Sequence, residues 1–236
     1  MNFKRVAFFF VIFISLGSQA ALAEKAMPET APVVPGVAVP EEAMSVDDIL
    51  NHVEQRYTGP GFTARFTQKS TIKAMDITDM AEGRVSIKRP GMMRWEYEKP
   101  EKQIIITNGA SLWVYRPEDN QVMVGSAPAY FGDGKGASFL SDIRTVREKF
   151  TVSLEKGEDP ACYRLKLLPK DQTLDISAIW LSVSVKEFNV EQIITHNSYE
   201  DETLIEMQQL QFNRDIDDAV FSFDIPEGAD IVQLEE

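Results

Sequence analysis

The chain has 236 residues, 44% hydrophobic and 26% charged, the balance of an ordinary globular protein, and its length fits one domain with or without a tail. Acidic residues outnumber basic ones by 37 to 24. The net charge of −13 argues against nucleic acid and anionic membrane and suits basic partner surfaces, although solubility alone would also explain it. A lone cysteine excludes an internal disulfide, so the fold rests on its core.

Residues 1–23 read as an export signal. Lys4-Arg5 opens it, Val6 to Leu16 is apolar with four phenylalanines, and Ala21-Leu22-Ala23 is a small-residue processing site. The apolar core is too short for a comfortable membrane span; an uncleaved anchor is the competing reading. No cysteine lies near the cleavage point to carry a lipid. Cleavage removes Lys4 and Arg5 but no acid, which takes the net charge from −13 to −15. Residues 24–44, "EKAMPETAPVVPGVAVPEEAM", carry Pro28, Pro32, Pro35 and Pro40, a composition that favours an extended tether. A single domain is expected from 45 to 236.

Ser45 is placed to cap a helix through "SVDDILNHVEQRY", with Asp47 and Asp48 in the first turn and Val46, Ile49, Leu50, Val53 and Tyr57 on one stripe. Gly59-Pro60-Gly61 ends it. The period then becomes two: "FTARFTQKS", "GRVSIKR", "MRWEY", "QIIITNG", "SLWVYRP" and "QVMVGS" read as strands joined by short turns, Asn108-Gly109 being the strongest turn signal. The glycines at 132, 134 and 136 predict a flexible loop. Phe139, Leu140, Ile143, Val146 and Phe150 predict a second amphipathic helix. "TVSLEK", "CYRLKLLP", "AIWLSVSVKEF", "VEQIITHNSY" and "ETLIEMQQLQFN" resume the strands, and "DDAVFSFDIPEGADIV" closes with a strand and a Pro-Gly turn. Strands in direct succession predict an antiparallel meander, curved toward a barrel so that one face is buried on itself and on the helices.

The usual catalytic patterns are absent. There is no Gly-x-Ser-x-Gly and no HExxH. His52 and His196 lack neighbouring ligands for a metal. Gly132-x-Gly134-x-Gly136 lacks the Lys-Ser/Thr of a phosphate loop, and Asp133 alone makes no calcium loop. Glu96/Glu98 and Asp217/Asp218 fit a solvated face better than acid–base chemistry, and Arg65 and Lys69 make a poor nucleic-acid stripe in so acidic a chain. Cys162 reads as a small buried strand residue. What remains are large apolar side chains on strands: Met92, Met93, Met123, Met207, Trp95, Trp113 and Trp180. Singly they read as core; together, under helices laid over a barrel mouth, they suggest an apolar ligand.

The series "FTARFTQ", "GRVSIKRPGMMRWEYEKP", "IIITNGASLWVYRPEDNQV" and "FSFDIPEGADIV" resembles the LolA family of periplasmic outer-membrane lipoprotein carriers. The resemblance implies a mainly β fold with some α, an incomplete, unclosed antiparallel β-barrel with helices covering its mouth. It implies a periplasmic monomer without catalysis, cofactor or metal. Its cargo would be acylated lipoproteins, released from the inner membrane by an ATP-driven transporter and passed to an outer-membrane lipoprotein acceptor of the LolB type. Two features depart from the family pattern: Met93 stands where an aromatic residue is common, and the Pro-rich stretch is long.

Expected cavity residues are Val85, Ile87, Met93, Trp95, Ile104 and Ile106; expected lid residues are Ile49, Leu50, Val53, Phe139, Leu140 and Ile143. The resemblance places a lid latch at Arg89. By parity Arg89 follows Val85 and Ile87 inward, where its five donors need oxygens such as lid carbonyls; a rim position in water or beside Glu82 is the alternative. Rival functions are a lipoprotein- or lipid-sensing regulator, a specialised lipid-carrier paralogue of the same fold, and a lipid hydrolase, the last requiring a nucleophile and base that the sequence does not present.

Overall fold

The structure, a computed structural model, describes residues 44–128, 138–141, 143–171 and 175–234. The expected export signal, the Pro-rich stretch up to residue 43 and the glycines at 132–136 lie outside the described residues.

Helix α1 (Val46–Arg56) starts as its sequence dictates. The Ser45 Oγ accepts the Asp48 amide at 3.1 Å, and Asp47 and Asp48 sit at the positive end of the helix dipole with Arg56 at the other. Its apolar stripe buries Ile49, Leu50 and Val53. Tyr57 anchors the far end. Its hydroxyl accepts the Val190 amide at 3.1 Å, and its ring meets Phe62 and Phe212 edge-on. Burial pushes the Tyr57 phenol well above its usual range, so it stays protonated.

Two antiparallel meanders follow. The first is β1 (Gly61–Ile72), β2 (Ile77–Lys88), β3 (Met92–Lys99), β4 (Gln103–Asn108), β5 (Ser111–Arg116) and β6 (Gln121–Ser126). The second is β7 (Phe150–Glu155), β8 (Cys162–Pro169), β9 (Ala178–Ser184), β10 (Val190–His196) and β11 (Glu202–Phe212). Pairing of β1 with β11 joins them into one sheet. With β12 (Asp230–Gln233), the order is β12-β6-β5-β4-β3-β2-β1-β11-β10-β9-β8-β7, so among the described residues β12 and β7 are free edges and the barrel is not closed. Register shifts at Thr63/Arg65 and Glu82/Gly83 add curvature near the centre of the sheet. At the predicted turn, the Asn108 Oδ1 accepts the amides of Ala110 and Ser111 while Gly109 takes a φ of +90°.

Three expectations are corrected. The predicted second helix is broken into a 3₁₀ turn (Ser138–Ser141) and a five-residue α2 (Thr145–Lys149). β-Branched Ile143, Thr145 and Val146 favour a long helix only weakly, and the same apolar residues reach the core without one. The last strand, β12, runs parallel to β6, because the chain crosses the outside of the sheet before returning. Finally, Cys162 is only half-buried.

Alternation sorts the sheet into two faces. The concave face carries Phe62, Ala64, Phe66, Val85, Ile87, Met93, Trp95, Tyr97, Ile105, Leu112 and Val114, all in one core with the α1 residues. The convex face of β1 to β3 carries an ionic ladder. Glu98 binds Arg65 at 3.0 Å and Arg84 at 2.8 Å, and Glu96 binds Arg94 at 2.8 Å. The Arg65 hydrogen bond, with help from Arg84, holds the Glu98 carboxyl below its usual range. The ladder's contribution is therefore present above the ordinary carboxylate pKa and fades as pH falls through the depressed value.

Candidate functional site

The concave face is the candidate site, and the chain's own side chains fill it. Ile49, Leu50 and Val53 come from α1, Phe139 and Leu140 from the 3₁₀ turn, and Ile143 from the link to α2; all six are buried in the same core as Val85, Ile87, Met93 and Trp95. Two short elements, separated in sequence by β1 to β6, thus supply one layer of aliphatic and aromatic groups over one sheet. At its margin lies a crevice bounded by Tyr57, Phe62, Ile87, Arg89, Leu140 and Phe212. Its empty volume is about 220 Å³, including the part open to solvent. A long acyl chain can enter only if the covering layer moves.

Arg89 stands in that margin, half-buried, one residue beyond the end of β2. Its Nη2 donates to the Gly59 carbonyl at 2.7 Å, and its backbone amide donates to the Pro60 carbonyl at 3.2 Å. Both acceptors belong to the connector between α1 and β1. The rim alternative of pairing with Glu82 is not what the structure shows: Glu82 binds Lys99 at 2.8 Å.

Two of the cavity residues expected from sequence are misplaced. Ile104 and Ile106 share a parity with Arg94 and Glu96, their partners across β3, and so lie on the convex face; Ile105, opposite Trp95, takes the concave position. Ile106 is fully buried all the same, because a 3₁₀ turn at Asp218–Phe221 packs over β3 and β4 from outside. That strap is held by Lys88, whose Nζ donates to the Ile216 carbonyl at 2.6 Å and reaches Asp218 at 2.7 Å, and by Arg94, which donates to the Val220 carbonyl at 3.2 Å. Phe223 extends the convex layer beside Trp113 and Tyr115.

Sequence alone does not single out Arg147, in α2. Its guanidinium donates to the Asp47 carboxylate at 2.6 Å, the Asp47 carbonyl at 3.0 Å and the Asn51 Oδ1 at 2.8 Å, and it also binds the Glu54 carboxylate. These acceptors are spaced by four and three residues, so they form the polar stripe of α1. That stripe is visible in the sequence; the identity of its partner is not.

Chemically reactive groups are quiet. Cys162 lies 3.6 Å from the Glu191 carboxylate, and burial, with Glu191 nearby, pushes its thiol up to about 11. The thiolate share at pH 8 is then on the order of one in a thousand. A disulfide-based thiol reagent is therefore expected to modify the native protein slowly near pH 8 and faster toward pH 11, while the urea-unfolded chain reacts at once. Rapid modification of the native protein at neutral pH would contradict this. His52 stacks on Phe188, and His196 pairs with Glu202 at 2.9 Å. No group of three metal-ligating side chains occurs among the described residues.

Known proteins agree with this architecture. Residues 59–224 match the family model described as outer membrane lipoprotein carrier protein LolA. An outer-membrane lipoprotein carrier protein of Pseudomonas paraeruginosa is 28% identical over 201 residues, covering 81% of this chain and 95% of the relative. One from Methylobacillus flagellatus is 30% identical over 169 residues, covering 72% and 80%. Among solved structures, an uncharacterized conserved protein from Thermus thermophilus shares the fold at a TM-score of 0.53 and 14% identity, covering 81% of this chain and 100% of the other. With its most specific motifs, at 83–124, and strands β1 to β11 inside the matched region, the chain belongs to the LolA family.

Proposed function

We propose that this protein is a periplasmic carrier of acylated lipoproteins, exported by residues 1–23 and tethered or spaced by 24–44, with its carrier domain at 45–236. It would take cargo from an inner-membrane ATP-driven transporter and hand it to an outer-membrane lipoprotein acceptor, without catalysis of its own. The observation that carries this reading is the covering of the concave face. Six apolar side chains on two short elements occupy the surface that acyl chains would use, so lid and cargo compete for the same sheet.

The energies suit transfer rather than storage. A buried methylene contributes about 0.8 kcal/mol, and uncovering each large lid side chain costs about 1.5–3 kcal/mol. Cargo binding is therefore repaid only in part after lid opening, and the net affinity stays low enough for a membrane-bound acceptor to win. Arg89 is the proposed latch, because its guanidinium bonds the Gly59 carbonyl of the α1–β1 connector in this covered form, a bond that opening of the lid would break.

Acylated lipoprotein is expected to co-purify with the protein from its native compartment, detected by mass spectrometry, and to displace an apolar environment-sensitive dye from it. Recovery of free phospholipid alone, with no displacement by lipoprotein, would overturn the carrier reading.

A further inference from the structure

We propose that Arg147 clasps the seam between α1 and β7 and that acyl chains reach the concave face through this seam. The inference rests on the carrier reading. Its own basis is the position of Arg147, in α2, which runs directly into the edge strand β7 at Phe150. Because no strand among the described residues pairs beyond β7, α1 closes the concave side there, and α1 and β7 are in contact.

Across this junction one guanidinium engages Asp47, Asn51 and Glu54, three positions along nearly the whole of α1. Surface ion pairs are ordinarily weak. Here a planar fork meets several acceptors at once, with only 31% of the Arg147 side chain exposed. The neighbouring backbone is pinned as well: the Arg147 carbonyl accepts the Lys170 ammonium at 2.9 Å, and the Lys149 carbonyl accepts the Lys170 amide at 2.8 Å. The clasp is thus fixed to the edge hairpin of β7 and β8.

The other end of α1 is differently placed. Tyr57 is locked to Val190, and Arg56 binds Asn189 at 2.8 Å and lies 4.1 Å over the Phe212 ring. Those contacts tie the C-terminal end of α1 to the middle of the sheet, next to Arg89. Release of Arg147 therefore frees the helix flank first, and the more firmly held end follows. The two arginines divide the lid: Arg147 holds the seam that parts first, and Arg89 holds the end that moves only as the lid opens fully.

The test uses the full mature chain and measures the entry rate of an apolar environment-sensitive dye by stopped flow. Arg147→Ala is expected to raise the rate roughly tenfold, the factor equivalent to about 1.4 kcal/mol, and Arg147→Lys to keep part of the restraint. A merely structural role could also loosen the protein, so a second variant is needed. In Asp47→Cys/Arg147→Cys/Cys162→Ser, a bis-thiosulfonate cross-linker, which couples to each thiol with loss of sulfinate and is cleaved by a reductant, joins α1 to α2. Dye and lipoprotein entry should stop on cross-linking and return on cleavage. Entry at the wild-type rate into the cross-linked protein would overturn the seam. If instead the unmodified protein admits dye under control of the clasp yet binds no acylated lipoprotein, the carrier reading fails and the seam stands.

Discussion

Arg89→Leu is expected to accept lipoprotein normally and to deliver it poorly. In the shut form the Arg89 guanidinium donates to the Gly59 carbonyl at 2.7 Å inside a margin lined by Phe62, Ile87 and Leu140. A hydrogen bond from a charged donor contributes about 1.5–3 kcal/mol, equivalent to one or two orders of magnitude in a lid equilibrium. Leucine removes that bond from the closed state alone. Cargo binds the open state, so fewer closed molecules compete with it and retention tightens. Arg89→Lys will be intermediate at best, since a point charge does not reproduce the planar fork. The measurement is transfer of loaded lipoprotein to an acceptor, with thermal stability recorded alongside. Equal transfer by wild type and Arg89→Leu would remove the latch from the account.

Gly83→Ala is expected to be among the most destabilising single-methyl additions in the protein. Gly83 lies on β2, between Phe66 of β1 and Tyr97 of β3, where the register shifts. A Cβ built there falls 2.0 Å from the Glu96 carbonyl oxygen and 3.0 Å from the Phe66 ring. The ring can tilt, but the carbonyl belongs to the central ladder. Relief requires the strands to part at the bend of the sheet, at a cost of about 3 kcal/mol or more. Gly228→Ala is the comparison: its φ of +73° is also unfavourable for alanine, but nothing lies within 4 Å. It should cost about 1–2 kcal/mol. Urea midpoints of the two variants settle the matter, and similar midpoints would mean that β2 and β3 yield easily at this point.

Local rules made much of the architecture readable from sequence alone. Ser45, Asp47 and Asp48 specify the start of α1 because the groups they satisfy lie within one turn. The alternation of Val85, Ile87, Met93 and Trp95 specifies the concave face because neighbouring strand residues point oppositely, whatever the rest of the chain does. Asn108-Gly109 specifies its hairpin through bonds that span three residues. Arg89 is singled out by the family resemblance; the parity of β2 fits an inward position but fits the rim as well, and its acceptor, some thirty residues back, is not legible locally.

Tertiary structure decided what local pattern left degenerate. In "QIIIT" every isoleucine is apolar, so parity is silent. Ile105 faces inward only because Trp95 stands across from it, and Ile106 is buried outward only because the strap at Asp218–Phe221 arrives from far along the chain. The apolar spacing from Phe139 to Phe150 is satisfied equally by one helix or by a turn and a short helix, since either brings these side chains to the core. Arg147 finds its acceptors about a hundred residues earlier in the chain. Such a pairing exists only once two distant elements have packed, because a charge of either sign on a polar stripe reads locally as a group for water.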